Sequence, residues 1–368
     1  MKEIFVTSPL LPPINEYIEE IKEIWERKIL TNNGPEYKKF NQKLKEYLNI
    51  NSSSLFTNGH LALEMALKSL NIEGEVITTP FTFISTTHAI VNNNLKPVFC
   101  DIKLDDYTMD ETKIEELITE KTSAIVPVHV YGYPCNVEKI EEIAKTHNLK
   151  VIYDAAHAFG VEINNKSIFD YGDLSMCSFH ATKIFNTIEG GMVAGQDKEL
   201  IQKVELLKNY GITSPETIDE IGINGKMSEF QAAMGVVLLN HIDEAIEKRK
   251  QITLRYKKAF SRIEGIVTYE EKENIKYNYA YMPILIKEEY GLTRNELYDM
   301  LKENGVFSRK YFYPLTNNVG CYYEQYKSPE LKNATYVSEN ILTLPLYPDL
   351  TLEEVDFIID LIRKRGNK

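Results

Sequence analysis

The chain has 368 residues, 43% of them hydrophobic, and a formal net charge of −12 at neutral pH. That length can bury a large core and still leave material for a second, smaller unit. The acidic balance excludes nucleic acid or an anionic membrane as the main partner, and the sequence has no apolar run of about 18 residues that would span a bilayer.

Through the first two-thirds of the chain, β-branched runs alternate with amphipathic stretches. Strands are expected at Glu75–Thr79, Pro97–Asp101, Ser123–His129, Lys150–Asp154, Asp173–Phe179 and Met192–Ala194. Helical patterns lie between them near His60–Leu70, Thr82–Asn92, Glu111–Thr119, Val137–Thr146 and Leu200–Asn209. Such alternation, with strands apolar throughout, predicts an α/β domain whose mostly parallel sheet is covered on both faces. Lys226–Arg255 reads as one long helical segment leading to a smaller α+β unit. That unit has strand-like Tyr281–Ile286 and Val306–Tyr311, a helix at Thr293–Glu303 and a last helix from Leu352. The expected division is residues 1–240 as the large domain with its N-terminal segment, and 241–368 as the small C-terminal domain.

The opening residues MKEIFVTSPLLPP lack a basic stretch followed by a long apolar one, so no secretory signal is expected. Cys100, Cys135, Cys177 and Cys321 are scattered without a CxxC pair. Reduced thiols in a cytoplasmic protein, with no disulfide framework and no metal site, fit that pattern. The 23 tyrosines are an excess that suits packing and, equally, the wall of a sugar or nucleotide pocket.

Chemistry concentrates at three places. V-I-Y-D-A-A-H-A-F-G puts Asp154 at the end of a strand, and S-F-H-A-T-K puts Lys183 just past another, before the turn-forming Glu189, Gly190 and Gly191. Ligands of parallel sheets bind beyond the carboxyl ends of strands. An amine and a carboxylate there suit pyridoxal 5′-phosphate (PLP): the lysine binds the aldehyde, and the acid keeps the pyridine nitrogen protonated. The third place is the turn Thr57-Asn58-Gly59-His60, which opens an amphipathic helix whose first N–H groups can hold a phosphate. Each feature has an ordinary reading when taken alone: a solvated surface lysine, an aspartate capping a helix, a capped helix start.

At these points the chain resembles the DegT/DnrJ/EryC1/StrS family of sugar aminotransferases. The likeness runs from I-L-T-N-N-G-P-E-Y-K-K-F, where Asn41 replaces a usual acidic residue, through T-N-G-H-L-A-L, T-T-P-F-T-F and the Asp154 and Lys183 segments. It continues to G-I-N-G-K-M-S-E-F-Q-A-A-M and the P-L-Y-P segment at Pro345. The resemblance implies PLP fold-type I, like aspartate aminotransferase, with Lys183 as Schiff-base lysine and general base and Asp154 as pyridinium partner. It places His157 at the cofactor's ring oxygen, Ser178, Gly59 and His60 at the phosphate, and Phe83 on the pyridine face. His60 departs from a more usual Thr or Ser, so only its N–H serves the phosphate. Asn224 and Lys226 would reach the phosphate of a neighbouring subunit's cofactor, which implies a homodimer with shared sites. Lys226 stands where Arg is commoner and supplies a point charge without a fork.

The segment around Lys183, and F-S-R-K-Y-F-Y-P, look most like members that aminate C4 of a nucleotide-linked 4-keto-6-deoxyhexose. Arg309, Lys310 and Tyr311 would then contact the diphosphate or sugar, although a solvated basic pair suits the same pattern. The expected reaction takes an amino group from L-glutamate to dTDP-4-keto-6-deoxy-D-glucose, giving dTDP-4-amino-4,6-dideoxy-D-glucose. A UDP- or GDP-linked sugar, amination at C3, or a PLP-dependent sugar dehydratase on the same fold remain open, and Lys183 excludes the histidine-bearing dehydratases.

Overall fold

The protein is described by a computed structural model covering residues 3–365 except 323, 327 and 329. Its centre is a seven-stranded sheet of β1 (Ser53–Phe56), β2 (Glu75–Thr78), β3 (Lys96–Phe99), β4 (Thr122–Val126), β5 (Lys150–Asp154), β6 (Leu174–Ser178) and β7 (Gly191–Ala194). The spatial order is β1-β7-β6-β5-β4-β2-β3. Every pairing is parallel except those of β7, which runs antiparallel to both β1 and β6.

Neighbouring residues on these strands enter different cores. Leu55, Ile77, Ile125 and Met192 join one apolar cluster, whereas Phe56, Val76, Ala124 and Val193 join another. The period of two thus sends one residue to each face, and both faces are covered because both sets are apolar. The first cluster takes residues of α2 (Pro35–Leu48), α5 (Val137–His147) and α7 (Glu229–Leu238). The second takes residues of α3 (Gly59–Ser69), α4 (Ile84–Asn92) and α6 (Lys198–Lys208). An outer helix, α1 (Ile14–Arg27), lies against α7.

A third core gathers Tyr256 and Phe260 of α8 (Ile242–Phe260), Leu297 and Leu301 of α9 (Arg294–Glu303), and Ile358 and Ile362 of α11 (Leu352–Arg365). They pack with an antiparallel sheet of Ile266–Val267, Met282–Ile286 and Ile341–Leu344. Ile4 belongs to this core as well, because Ile4–Phe5 pairs with Val306–Phe307. The start of the chain therefore packs with its C-terminal third. A largely aromatic cluster containing Phe81, Tyr107, Tyr131 and Phe312 joins this region to the large sheet. Several of the excess tyrosines are thus buried packing residues.

The structure differs from the sequence reading in places. The segment expected to be helical at Glu111–Thr119 forms two short 3-10 turns, Glu111–Lys113 and Glu115–Leu117. Buried Ile114 joins them, and Ile118 is already extended toward β4. The expected single helix across Lys226–Arg255 is two. Ser228 opens α7 with a capping box, Leu239–His241 break it, and Ile242 starts α8 with Asp243 and Glu244 in its first turn. Strand β1, helices α1 and α2, and α10 (Lys332–Asn340) with the strand after it lie outside the sequence's expectations.

Candidate active site

A cavity of about 580 Å³ opens beyond the carboxyl ends of β1, β5 and β6. Asp154 is the last residue of β5 and is fixed there by its neighbours. Its N–H donates to the Pro127 carbonyl at 2.9 Å, and the next N–H, of Ala155, donates to that of Met176 at 2.8 Å. The side chain is only 4% exposed. Its Oδ2 accepts the Thr86 hydroxyl at 2.7 Å and its Oδ1 the Ala156 N–H at 3.1 Å. Burial raises the carboxyl pKa, opposed by those two donors and by the charge of Lys183.

Lys183 sits on a loop that is closed at its base. Phe179 N–H donates to Gly190 O at 2.8 Å, Thr187 N–H to Phe179 O at 2.9 Å, and Lys183 N–H to His180 O at 2.8 Å. Removal of water lowers the pKa of the ammonium, against the pull of Asp154. The amine is therefore deprotonated more readily than a surface lysine.

His157 is buried, and its Nδ1 accepts the Tyr131 N–H at 3.1 Å. That contact assigns the ring hydrogen to Nε2. Burial, and then the charge of Lys183, push its pKa well below the usual histidine value, so the imidazole is neutral. Phe312 lies parallel to the ring at 5.9 Å and Tyr281 meets it edge-on at 4.8 Å.

On the opposite wall Asn58 caps α3, its Oδ1 accepting the Leu61 N–H at 2.9 Å. The N–H groups of Gly59 and His60, first in the helix, have no carbonyl within it to bond. A Cβ at Gly59 would lie 2.9 Å from that of Ser178, so glycine is required for the turn to approach β6 this closely. The His60 ring turns instead to Ser85, 2.8 Å from Nδ1, and to Glu64, 3.1 Å from Nε2. Phe83 precedes α4 and leaves 58% of its surface exposed beside the cavity.

Lys183, Asp154, His157, Ser178, Gly59, His60, Phe83 and Tyr311 thus share one cavity. Asn224 and Lys226 do not line it. Asn224 pairs through its backbone with Asn209, and the Lys226 ammonium stands 4.6 Å over the Tyr210 ring. Arg309 is tied to Thr343 by two backbone hydrogen bonds. Lys310 points to Asn295 Oδ1 at 2.6 Å and lies over the Tyr298 ring, so neither basic residue reaches the cavity in this chain. Sequence reasoning missed Thr86, Tyr281, Phe312, His180 and Glu189. Of these, His180, Glu189 and Phe312 stood inside the quoted motifs, whereas Thr86 and Tyr281 signal nothing until the fold brings them in.

The residues fit PLP. A carboxylate buried at a strand end, with no side-chain cation bonded to it among the described residues, matches a protonated pyridine nitrogen, and a helix start freed of side-chain atoms by glycine matches a phosphate. An amine of lowered proton affinity matches the aldehyde.

Residues 13–363 match the model of the DegT/DnrJ/EryC1/StrS aminotransferase family. The chain belongs to that family. It is 43% identical over 363 residues, 99% of each chain, to a dTDP-4-amino-4,6-dideoxy-D-glucose transaminase of Shigella dysenteriae. It is likewise 43% identical, across 98% of each chain, to the Escherichia coli enzyme of the same name. Among solved structures, DesI in the presence of its TDP-sugar product superposes with a TM-score of 0.96 at 28% identity, covering 100% of this chain and 94% of that one. PseC of Helicobacter pylori, an aminotransferase of pseudaminic acid biosynthesis, gives 0.93 at 28% identity with both chains fully covered. The family member described here is a PLP-dependent aminotransferase with the fold expected of it. Among the described residues no helix is long and apolar enough to cross a membrane, and no cluster of His, Cys, Asp and Glu is arranged to hold a metal ion.

Proposed function

We propose that the enzyme takes an amino group from L-glutamate and transfers it to C4 of dTDP-4-keto-6-deoxy-D-glucose, forming dTDP-4-amino-4,6-dideoxy-D-glucose. The observation that carries this reading is the joining of two facts: Lys183 and Asp154 meet in one cavity, and two relatives named for that sugar match the chain nearly end to end.

When bound, PLP supplies an aldehyde carbon that carries the amino group and a ring that accepts the electrons of the breaking C–H bond. Lys183 Nζ, its proton affinity lowered by burial, takes the proton from the amino-bearing carbon of the donor. Asp154 holds a positive charge at the ring nitrogen, and Thr86 and the Ala156 N–H keep that carboxylate ionised. His157 offers its Nε2–H to an oxygen acceptor. Gly59, His60 and Ser178 hold the phosphate, and Phe83 covers the ring. The working unit is a homodimer in which Asn224 and Lys226 serve the partner's cofactor. The hairpin of Ile212–Ser214 and Thr217–Ile218 precedes them in the chain, and Ile218 within it and Ile221 just after it support this, being 70% and 82% accessible in the single chain.

The test has two stages. L-Glutamate alone should bleach the absorbance of the lysine-bound cofactor, and no spectral change would refute the transaminase reading. The glutamate-treated enzyme should then aminate the dTDP ketosugar in preference to its UDP and GDP counterparts, with product configuration read by NMR. A relative named GDP-perosamine synthase in Escherichia coli O157:H7, 34% identical, makes the GDP sugar the informative competitor. Preference for it would overturn the substrate assignment.

A further inference from the structure

Among the cavity residues with no part in the scheme above are His180 and Glu189. His180 is held by its own turn. Its Nδ1 accepts the Thr182 N–H at 3.2 Å and lies 2.8 Å from the Thr182 hydroxyl. An N–H donating to Nδ1 leaves the ring hydrogen on Nε2, and Nε2 faces Glu189 Oε1 at 3.4 Å. Charge-assisted hydrogen bonds are about 2.7–2.9 Å long. The two groups therefore face each other without saturating each other, and their side chains remain 45% and 54% accessible.

Glu189 is aimed with equal care. Its carbonyl accepts the side-chain amide of Gln231 at 2.6 Å and the Thr187 hydroxyl at 2.8 Å. The residue before it, Ile188, is left-handed with φ of 69°. That conformation is unfavourable for a β-branched side chain and persists only where the surroundings impose it. Here buried Asn186 imposes it, accepting the Ile188 N–H at 3.1 Å while its own amide donates to Leu10 O at 2.9 Å. Strained backbone of this kind concentrates at functional sites. The loop that carries Lys183 thus presents a second pair of polar groups beside it.

We propose that His180 and Glu189 together receive a ring hydroxyl of the acceptor sugar and determine its selection, an assignment that rests on the ketosugar reading above. A hydroxyl both donates and accepts. It matches a carboxylate oxygen beside an imidazole N–H, with its hydrogen to Glu189 Oε1 and its oxygen toward His180 Nε2. The amino donor matches poorly, because the carboxylates of L-glutamate only accept hydrogen bonds and carry the same charge as Glu189. The cavity serves both molecules in turn, so the pair separates the two half-reactions.

The experiment measures those half-reactions singly by stopped-flow absorbance on holoenzyme. Wild type, Glu189→Gln and His180→Asn are each mixed with L-glutamate. The glutamate-treated, donor-free enzymes are then mixed with dTDP-4-keto-6-deoxy-D-glucose. Asparagine keeps an acceptor for the Thr182 N–H. Glu189→Gln should lose at least about tenfold in kcat/KM for the ketosugar, the effect of one hydrogen bond to a charged group, and His180→Asn at least about threefold, the effect of a neutral one. The glutamate half-reaction should stay within about twofold of wild type, or quicken in Glu189→Gln. Unchanged sugar kinetics, or equal losses with both substrates, overturn the assignment. Wild type that ignores every ketosugar refutes the functional reading instead.

Discussion

Replacing Thr86 by valine removes one hydroxyl from the shell of Asp154 and leaves the volume nearly unchanged. Both residues are buried, and the hydroxyl donates to Oδ2 at 2.7 Å. A hydrogen bond to a charged group is worth about 1.5–3 kcal/mol. Oδ1 keeps the Ala156 N–H at 3.1 Å, which places the expected loss near the lower bound. That bound corresponds to a displacement of the acid limb by about one pH unit, and so to about tenfold in rate along that limb alone. The direction follows from which form the donor favours. Thr86 stabilises the carboxylate, so losing it raises the Asp154 pKa further above the value that burial already imposes. The ionised form is the active one, hence activity disappears at a higher pH than in wild type as the solution is acidified. The assay is the pH profile of kcat/KM for the L-glutamate half-reaction. The acid limb of Thr86→Val should lie to higher pH, with the two curves converging where Asp154 is ionised in both. An unmoved acid limb, or an equal loss at every pH, would refute the role given to this hydroxyl.

Two further substitutions probe the frame. Lys208 is fully buried, its Nζ bonded to Tyr37 Oη at 2.7 Å, Leu55 O at 2.9 Å and Glu205 Oε2 at 2.7 Å, and its pKa is pulled down to about 8 by desolvation. Lys208→Met removes the cation beside the Glu205 carboxylate, which keeps donors from Asn33 at 2.7 Å, Ser54 at 2.6 Å and Tyr37 at 3.2 Å and whose side chain is 33% accessible; the expected cost is about 2 kcal/mol, below that of breaking a pair buried on both sides. Urea unfolding measures it, and a change below about 0.5 kcal/mol would contradict the network's importance. At the end of the hairpin of Ile212–Ser214 and Thr217–Ile218 and just after it, the pair Ile218→Asp and Ile221→Asp should shift light scattering from dimer to monomer and weaken cofactor retention. An intact dimer would remove the hairpin from the interface.

What the sequence disclosed followed the range of its signals. Asp154 and Lys183 were readable because each closes or follows an apolar strand inside a dense motif. Thr86 was not, because its meaning is a contact across 68 residues, made only when α4 packs against β5. Strand β1 is Ser-Ser-Leu-Phe, short and without a β-branched residue, and its pairing with β7 rather than its propensity makes it a strand. The break at Leu239–His241 was hidden because helical patterns continue on both sides while the buried face changes. Lys310 carried the right charge in a suggestive motif, yet Asn295 and Tyr298 hold it away from the cavity. Charge survives in a sequence, whereas direction does not.

The reversed strand β7 has a consequence for the order in which the molecule comes together. Its first residue, Gly191, pairs with Phe56 on one side and Ser178 on the other. Residues that flank the phosphate turn and the lysine loop, more than a hundred positions apart, are joined within the sheet by this strand. Non-local pairings of this kind form slowly, since the chain must close a long loop before any contact rewards it. A growing or refolding polypeptide therefore has no complete binding place until Gly191–Ala194 is inserted. Capture of the cofactor then marks the moment at which the central sheet becomes continuous, so the colour of the holoenzyme can serve as a clock for its folding.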